Sequence, residues 1–193
     1  MLRHQTIQNL QGLEVAPELT DITTLIPFLK SMKENLNFKY LKIVADAGYE
    51  SEENYSFIEE NNQISFIKPS NYEISKTRKY KNDINRIDNM DYDSESDLFI
   101  CQNGKKLIAN WIKIRKSKTG YESVKTIYIC EDCSNCNYKS QCIKGNNSKI
   151  SLEKRTKKFE TSKKFNQQRK EDLERIITDE GILLRMNRSI QAE

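Results

Sequence analysis

The chain has 193 residues, enough for one domain of ordinary size with a small appended module. Charged residues make up 31% of it, with 6 Gly and 3 Pro, a composition that excludes fibrous and collagen-like proteins. It contains no run of about 18 apolar residues, and its start lacks the apolar core of a signal peptide. We therefore expect a soluble, cytoplasmic protein without a membrane segment.

The net charge of +4 is distributed in blocks. Residues 83–97 hold six acids, whereas residues 105–126 hold seven bases and residues 144–175 hold eleven. The two basic stretches would attract a phosphate backbone if they shared one face of the fold. The alternative is an ordinary solvated helix surface.

The first predicted elements are a strand and a helix. Residues 6–15 mix β-branched and polar side chains, which indicates a strand or a bent hairpin arm. From Asp21 onward, apolar residues recur every three or four positions, which predicts a helix capped by Thr20 or Asp21. Pro27 either kinks this helix or lies in its first turn.

A short apolar strand at residues 40–45 leads directly into a turn that begins with Asp46. Ser51 then starts a second helix, and residues 64–67 form the next strand. This alternation predicts an α/β sheet that is at least partly parallel. An acid at the carboxyl end of a central strand lies where such sheets place ligands and metal ions; a turn aspartate that accepts backbone N–H groups is the other interpretation.

The pattern changes after Pro69. Residues 70–97 have no sustained apolar period and are expected to form a loop or a mobile insertion. The Asn-Gly pair at 103–104 predicts a hairpin, and residues 121–128 indicate a further strand. Near the end of the chain, apolar spacing predicts an amphipathic helix that stops near Gly181, with the start of another helix after it.

Four of the five cysteines fall within 13 residues in the pattern C-x2-C-x2-C-x5-C: Cys130, Cys133, Cys136 and Cys142. Four thiolates at this spacing suit one tetrahedral zinc ion, which would join the ribbon to the following basic helix; an iron–sulfur cluster is the alternative. Cys101 is expected to be a half-buried apolar residue rather than a fifth ligand. His4, the single histidine, disfavours Ser-His-Asp and Cys-His hydrolases.

Three stretches, in this order, resemble the DDE transposases of bacterial insertion sequences, and most closely the subgroup with a cysteine knuckle between the second and third catalytic acids. They are ADAGYESEENY at 45–55, the four cysteines, and EGILLRMNRSIQAE at 180–193. Glu14-Val15 and the helix start at 20–27 also match, so the resemblance covers nearly the whole chain. It implies an incomplete RNase H-like mixed sheet flanked by helices, with an inserted β-ribbon and a four-cysteine knuckle. The expected division is a partial core at 1–69, an insertion at 70–150 and a helical return at 151–193.

By this resemblance, Asp46 is the second catalytic acid and Glu193 the third, and both would bind Mg²⁺ or Mn²⁺ for cleavage and transfer of DNA strands. Zinc would occupy the four cysteines. Family members act as dimers or larger assemblies on transposon ends and target DNA. Contacts to DNA are expected from the basic residues Lys154, Arg155, Lys157, Lys158, Arg185 and Arg188.

The first catalytic acid of the family should lie on a strand upstream of Asp46. Asp21 does not replace it, because a residue at a helix start is used as a cap. The resemblance therefore implies a truncated transposase that is inactive alone. A zinc-stapled nucleic-acid-binding module without catalytic activity is the alternative.

Overall fold

The computed structural model describes residues 21–145 and 149–192 of the chain. Within them the chain forms a two-stranded parallel sheet and a five-stranded antiparallel sheet, flanked by helices. The predictions made for residues 6–15, Thr20 and Glu193 lie outside this range. No helix among the described residues is long and apolar enough to cross a membrane.

The parallel sheet confirms the predicted α/β pattern. Strands β1 (Lys42–Ala45) and β2 (Ile64–Ile67) pair in parallel and are connected by helix α2 (Glu52–Glu60). Helix α1 (Leu25–Leu36) begins after a short 3-10 turn, and Pro27 lies in its first turn, where backbone N–H groups have no acceptor inside the helix. The core between these elements contains Leu25, Ile43, Ala45, Tyr55, Ile58 and Ile67.

The antiparallel sheet follows chain order. Its strands are β3 (Asp91–Asp93), β4 (Leu98–Ile100), β5 (Lys106–Lys116), β6 (Glu122–Cys130) and β7 (Lys158–Thr161). The Asn-Gly hairpin is confirmed between β4 and β5, where Gly104 has a φ of 70° and its N–H donates to the Cys101 carbonyl at 2.8 Å. Because β7 pairs with β6, this sheet continues past residue 150, the expected end of the insertion.

The expectation of a loop at 70–97 is wrong in part. The segment contains two 3-10 turns, the short helix α3 (Arg78–Lys81) and β3. Tyr80 is buried, its hydroxyl donates to Asp88, and it accepts from Asn71 Nδ2 at 2.8 Å. Hydrogen bonds of polar side chains, rather than an apolar period, order this segment, so periodicity could not reveal it.

The short helix α4 (Lys139–Cys142) follows β6, and two longer helices come after β7: α5 (Lys163–Ile176) and α6 (Asp179–Ala192). The prediction that a helix stops near Gly181 is wrong, because the break falls earlier and Gly181 lies in the first turn of α6. Thr178 Oγ1 accepts the Gly181 N–H at 3.1 Å. A Cβ at this position would lie 2.2 Å from the Arg175 carbonyl oxygen, so a glycine is needed for the close approach of α6 to the end of α5.

Helix α5 packs against the outer edge of β2. The buried carboxylate of Asp172 accepts the Ile67 N–H at 2.6 Å, and Arg175 donates to Asp172 Oδ1 at 3.0 Å and to Ser65 Oγ at 2.9 Å. Side chains of α5 thus form hydrogen bonds with polar groups at the edge of β2. In a wider sheet, a neighbouring strand would form hydrogen bonds with this edge. Burial raises the pKa of Asp172 from 3.8 to about 6.

This pKa predicts a pH dependence of stability. The folded chain holds the Asp172 proton more tightly than the unfolded chain, so the stabilisation is complete below the unfolded pKa near 4 and is lost as pH rises through 6. At about 1.4 kcal/mol per pKa unit, the loss is about 3 kcal/mol. Urea unfolding of the wild type and of Asp172→Asn between pH 4 and 7 tests this. Over that range the wild type should lose about this much unfolding free energy relative to Asp172→Asn, because the asparagine does not titrate. If the difference in unfolding free energy between the two proteins did not change with pH, the raised pKa of Asp172 would be wrong.

Candidate active site

Asp46 lies where β1 ends and the chain turns towards α2. Its backbone is extended, and its carbonyl accepts the Tyr49 N–H at 3.0 Å, which closes a short 3-10 turn. The side chain is 60% exposed. The carboxylate is therefore presented at the carboxyl end of a parallel strand, the position expected from the sequence.

Asn54, on α2, holds this turn in place by hydrogen bonds from its side chain. Its side chain is almost fully buried, and Nδ2 donates to the Tyr49 carbonyl at 2.7 Å and to the Ile22 carbonyl at 2.9 Å. The backbone N–H of Asn54 donates to the Ser51 hydroxyl, which caps α2 as predicted. One buried amide thus connects the Asp46 turn to the segment that precedes α1.

A second acid of the same turn has a different role. The Glu50 side chain is 1% exposed and forms a bidentate ion pair with Arg169 of α5, with N to O distances of 2.6 and 2.8 Å. It also accepts the Ser70 N–H at 2.8 Å. Glu50 therefore joins the turn to α5 and to the segment after β2, while Asp46 remains open to solvent.

Helix α6 runs alongside β1 and is joined to it at both ends. Lys42 pairs with Glu180, and Asp46 pairs with Arg188, whose two terminal nitrogens each donate to one carboxylate oxygen. Four strand residues span about 13 Å and eight helical residues about 12 Å, so the two pairs have matched spacing along parallel elements. This match places Arg188 on the Asp46 carboxylate.

Of the two expected catalytic acids, the structure places Asp46, and Glu193 lies outside the described residues. In the described part of the chain, no three His, Cys, Asp or Glu side chains converge closely enough to hold a metal ion. A single carboxylate bound by a guanidinium does not form a magnesium site, because Mg²⁺ in proteins needs several oxygen ligands. Among the described residues the fit to such an ion is therefore incomplete.

The expected DNA-contacting cations differ in exposure. Lys154 and Lys158 are exposed, whereas Arg155 donates to the Gly145 carbonyl and Arg185 to the Ile176 carbonyl. Lys157 is 7% exposed, and its ammonium donates to the Asn85 carbonyl at 2.7 Å and the Cys142 carbonyl at 3.2 Å. The charge of Lys157 is used inside the fold, which corrects its assignment to the DNA-facing surface.

The cysteines gather around one pocket beside the antiparallel sheet. Its lining includes Cys101 as well as Cys130, Cys133, Cys136 and Cys142. Burial raises the pKa of the Cys130 thiol to about 12, and burial also raises that of Cys142. The Lys157 N–H donates to Cys133 Sγ at 3.4 Å.

Cys101 is half-buried, as expected, but it also faces the same pocket as the other four thiols. Because Cys101 is far from the other four cysteines in the sequence, their spacing did not indicate that it lines the same pocket. The hairpin predicted from Asn-Gly was the available signal, because antiparallel pairing brings β4 back to the end of β6 where Cys130 lies.

The fold and site together define a mixed α/β domain with an exposed acid at a strand end and a cysteine-lined pocket. Residues 100–193 match the model of a family described as a transposase DDE domain, which confirms the resemblance to the DDE transposases over that part of the chain. The matched part contains all five cysteines, α5 and α6, and Asp46 lies before it. No curated protein and no solved structure matches the chain.

The two acids of the turn should respond differently to neutralisation. Glu50→Gln removes the bidentate partner of the mostly buried Arg169 and should lower the unfolding free energy by about 3 kcal/mol. Asp46→Asn breaks an exposed pair and should cost less than about 1 kcal/mol. Urea denaturation of both variants tests this contrast, and equal losses would show that Asp46 is also a structural residue.

Proposed function

We propose that the chain is the catalytic part of a DDE transposase and that its parallel sheet belongs to an RNase H-like fold. In this family the domain carries out Mg²⁺-dependent cleavage and transfer of DNA strands. The observation that carries the proposal is the exposed Asp46 carboxylate at the end of β1, held against α6, in a chain whose residues 100–193 match the transposase DDE domain. Helix α6 leads directly to Glu193, the acid that the resemblance pairs with Asp46.

In this proposal Asp46 and Glu193 each contribute one carboxylate to the ion site. Mg²⁺ or Mn²⁺ bound there would polarise the phosphodiester and activate a hydroxyl nucleophile. Arg188 holds the Asp46 carboxylate, and its planar guanidinium is equally suited to a phosphate group.

Iron-mediated cleavage tests the ion site without requiring DNA cleavage. Fe²⁺ replaces Mg²⁺ at oxygen sites and, with ascorbate and peroxide, cuts the polypeptide close to where it is bound. We expect cuts near residue 46 that disappear in Asp46→Asn and in Glu193→Gln and persist in Asp179→Asn, an exposed acid of α6 used as the control.

If the cuts disappear in Asp46→Asn alone, Glu193 is not part of the site. If no cut depends on Asp46, the catalytic assignment is wrong. The second candidate function, a metal-stapled nucleic-acid-binding module, would then remain, because the ribbon, the cysteine pocket and the basic surface do not depend on Asp46.

DNA binding in this proposal uses the exposed lysines near β7. Lys154 and Lys158 are exposed and lie in the basic stretch, so each is available for one phosphate contact. The double variant Lys154→Gln/Lys158→Gln should weaken binding to a duplex and reduce the slope of log Kd against log salt by about 2. Fluorescence anisotropy measures both quantities. Lys76→Gln, which removes a lysine paired with Glu73, is the control, and an equal effect there would contradict a local DNA surface.

We also propose that the cysteine pocket holds zinc. Thiolates are preferred zinc ligands, and the pocket brings five thiols together in a segment that buries little apolar surface. The buried ammonium of Lys157 supports an anionic occupant, because a positive charge in the interior needs nearby negative charge. The side chains would have to close further around the ion than they do in the structure.

A further inference from the structure

A second pocket lies at the end of the parallel sheet opposite Asp46. The chain leaves α1 through Asn37, which has the left-handed backbone (φ of 49°) typical of a helix end, and residues 38–41 lead into β1. Just before β2, the Gln63 side chain donates to the Tyr40 carbonyl at 2.7 Å and holds this connection in place. The amino ends of the two strands and the ends of α1 and α2 thus enclose a cavity of about 150 Å³.

Two aromatic rings line this pocket and remain exposed to solvent. Phe38 is 57% exposed and Tyr40 is 40% exposed. Their ring centroids lie 5.0 Å apart with the planes at 87°, an edge-to-face arrangement in which one ring covers at most one face of the other. Exposed ring faces of this kind stack on the bases of an unpaired nucleic-acid strand, because every base offers a flat apolar surface.

Three lysines line the same pocket: Lys30 and Lys33 of α1, and Lys39, which lies between the two rings in sequence. Lys39 donates to the Asn61 carbonyl, and the Lys30 ammonium lies 5.7 Å from the centre of the Phe57 ring. Among the described residues, the lysines that form ion pairs are others, and no acidic side chain lines this pocket. The pocket therefore carries positive charge that the described fold does not neutralise.

A single nucleic-acid strand offers both flat rings and negative charge in one polymer. A duplex keeps its bases stacked on one another and would contact the lysines alone. An acidic peptide would supply the charge, but its side chains need only an apolar surface and not a ring face. The combination of exposed rings and ammonium groups without carboxylate partners therefore favours an unpaired strand.

We propose that this pocket binds a single strand of nucleic acid without sequence preference. Bases stack on Phe38 and Tyr40, and the three lysines contact the neighbouring phosphates. The four residues of β1 span about 13 Å, so the site lies at the opposite end of this strand from Asp46 and is separate from the proposed ion site. Binding here needs no divalent cation, and the proposal can fail while the catalytic assignment of Asp46 stands.

Fluorescence anisotropy with a labelled oligothymidine strand, in the presence of EDTA, measures this binding in the whole chain. Phe38→Leu keeps an apolar side chain but removes the ring, and it should raise Kd at least about fivefold, the lower limit for losing one stacked base. Phe38→Tyr keeps the ring and should bind like the wild type. Leu41→Ala, which shortens an exposed apolar side chain of the same connection, is the control and should also bind like the wild type.

The double variant Lys30→Gln/Lys33→Gln tests the charge of the site. Both side chains are exposed on α1. Their loss should lower the slope of log Kd against log salt by about 1.4, at about 0.7 for each phosphate contact of a single strand. Lys79→Gln, which removes an exposed lysine of α3, is the matched control and should leave the slope unchanged.

Photo-crosslinking locates the bound strand directly. Ultraviolet irradiation of the wild-type complex, followed by mass spectrometry, should attach thymine to the peptide that contains Phe38 and Tyr40. Cross-links that occur only elsewhere in the chain, or no binding of the strand at all, would overturn the proposal. Wild-type affinity in Phe38→Leu would overturn it as well.

Two competitors separate a single strand from other polyanions. If Phe38→Leu weakened the binding of a duplex as much as that of oligothymidine, stacking on unpaired bases would be refuted. If polyglutamate displaced oligothymidine as well as an unlabelled strand does, the pocket would be a site for acidic peptides instead. We expect neither result, because neither competitor offers unpaired bases to the two rings.

Discussion

The buried carboxylate of Asp172 is the contact on which the rest of the fold depends. It joins α5 to the Ile67 N–H of β2 across 105 positions of sequence, and Arg175 adds bonds to Ser65 of the same strand. Side chains of helix α5 thereby form hydrogen bonds with the outer edge of a sheet that has only two described strands. Because α6 follows after a two-residue break, the placement of α5 also determines where α6 lies against β1.

The distribution of charge along the sequence differs from the distribution on the folded surface. Asp97 of the acidic block accepts from the hydroxyls of Tyr92 and Tyr128, and Asp83 pairs with Lys144. On the ribbon, Arg115 pairs with Glu160 and Lys125 with Glu52. Many charged residues of each block thus form contacts that hold segments of the fold together. The net charge of a stretch of sequence therefore overstates the charge that is available to a DNA backbone.

The sequence predicts elements whose signal is local and misses features that depend on partners distant along the chain. Ser51 is a cap and Asn-Gly a hairpin turn because each residue acts on its immediate neighbours. The sequence predicted a helix end near Gly181. In the structure, the missing side chain of Gly181 instead allows α6 to approach the end of α5 closely. The position of Cys101 could not be predicted from spacing, because the register of β4, β5 and β6 brings it to the pocket.

The cysteine pocket and the Asp46 turn lie at the two ends of one continuous path. Lys157 accepts the Cys130 N–H at its carbonyl and donates its own N–H to Cys133, which fixes the start of β7 beside the pocket. Strand β7 leads through Ser162, whose hydroxyl caps α5, into the helix that carries Asp172. From there α6 extends along β1 until Arg188 meets Asp46. The residues that border the cysteine pocket therefore continue without interruption into the helices that carry Asp172 and Arg188, so one run of the chain positions both the edge of the pocket and the partner of the exposed acid.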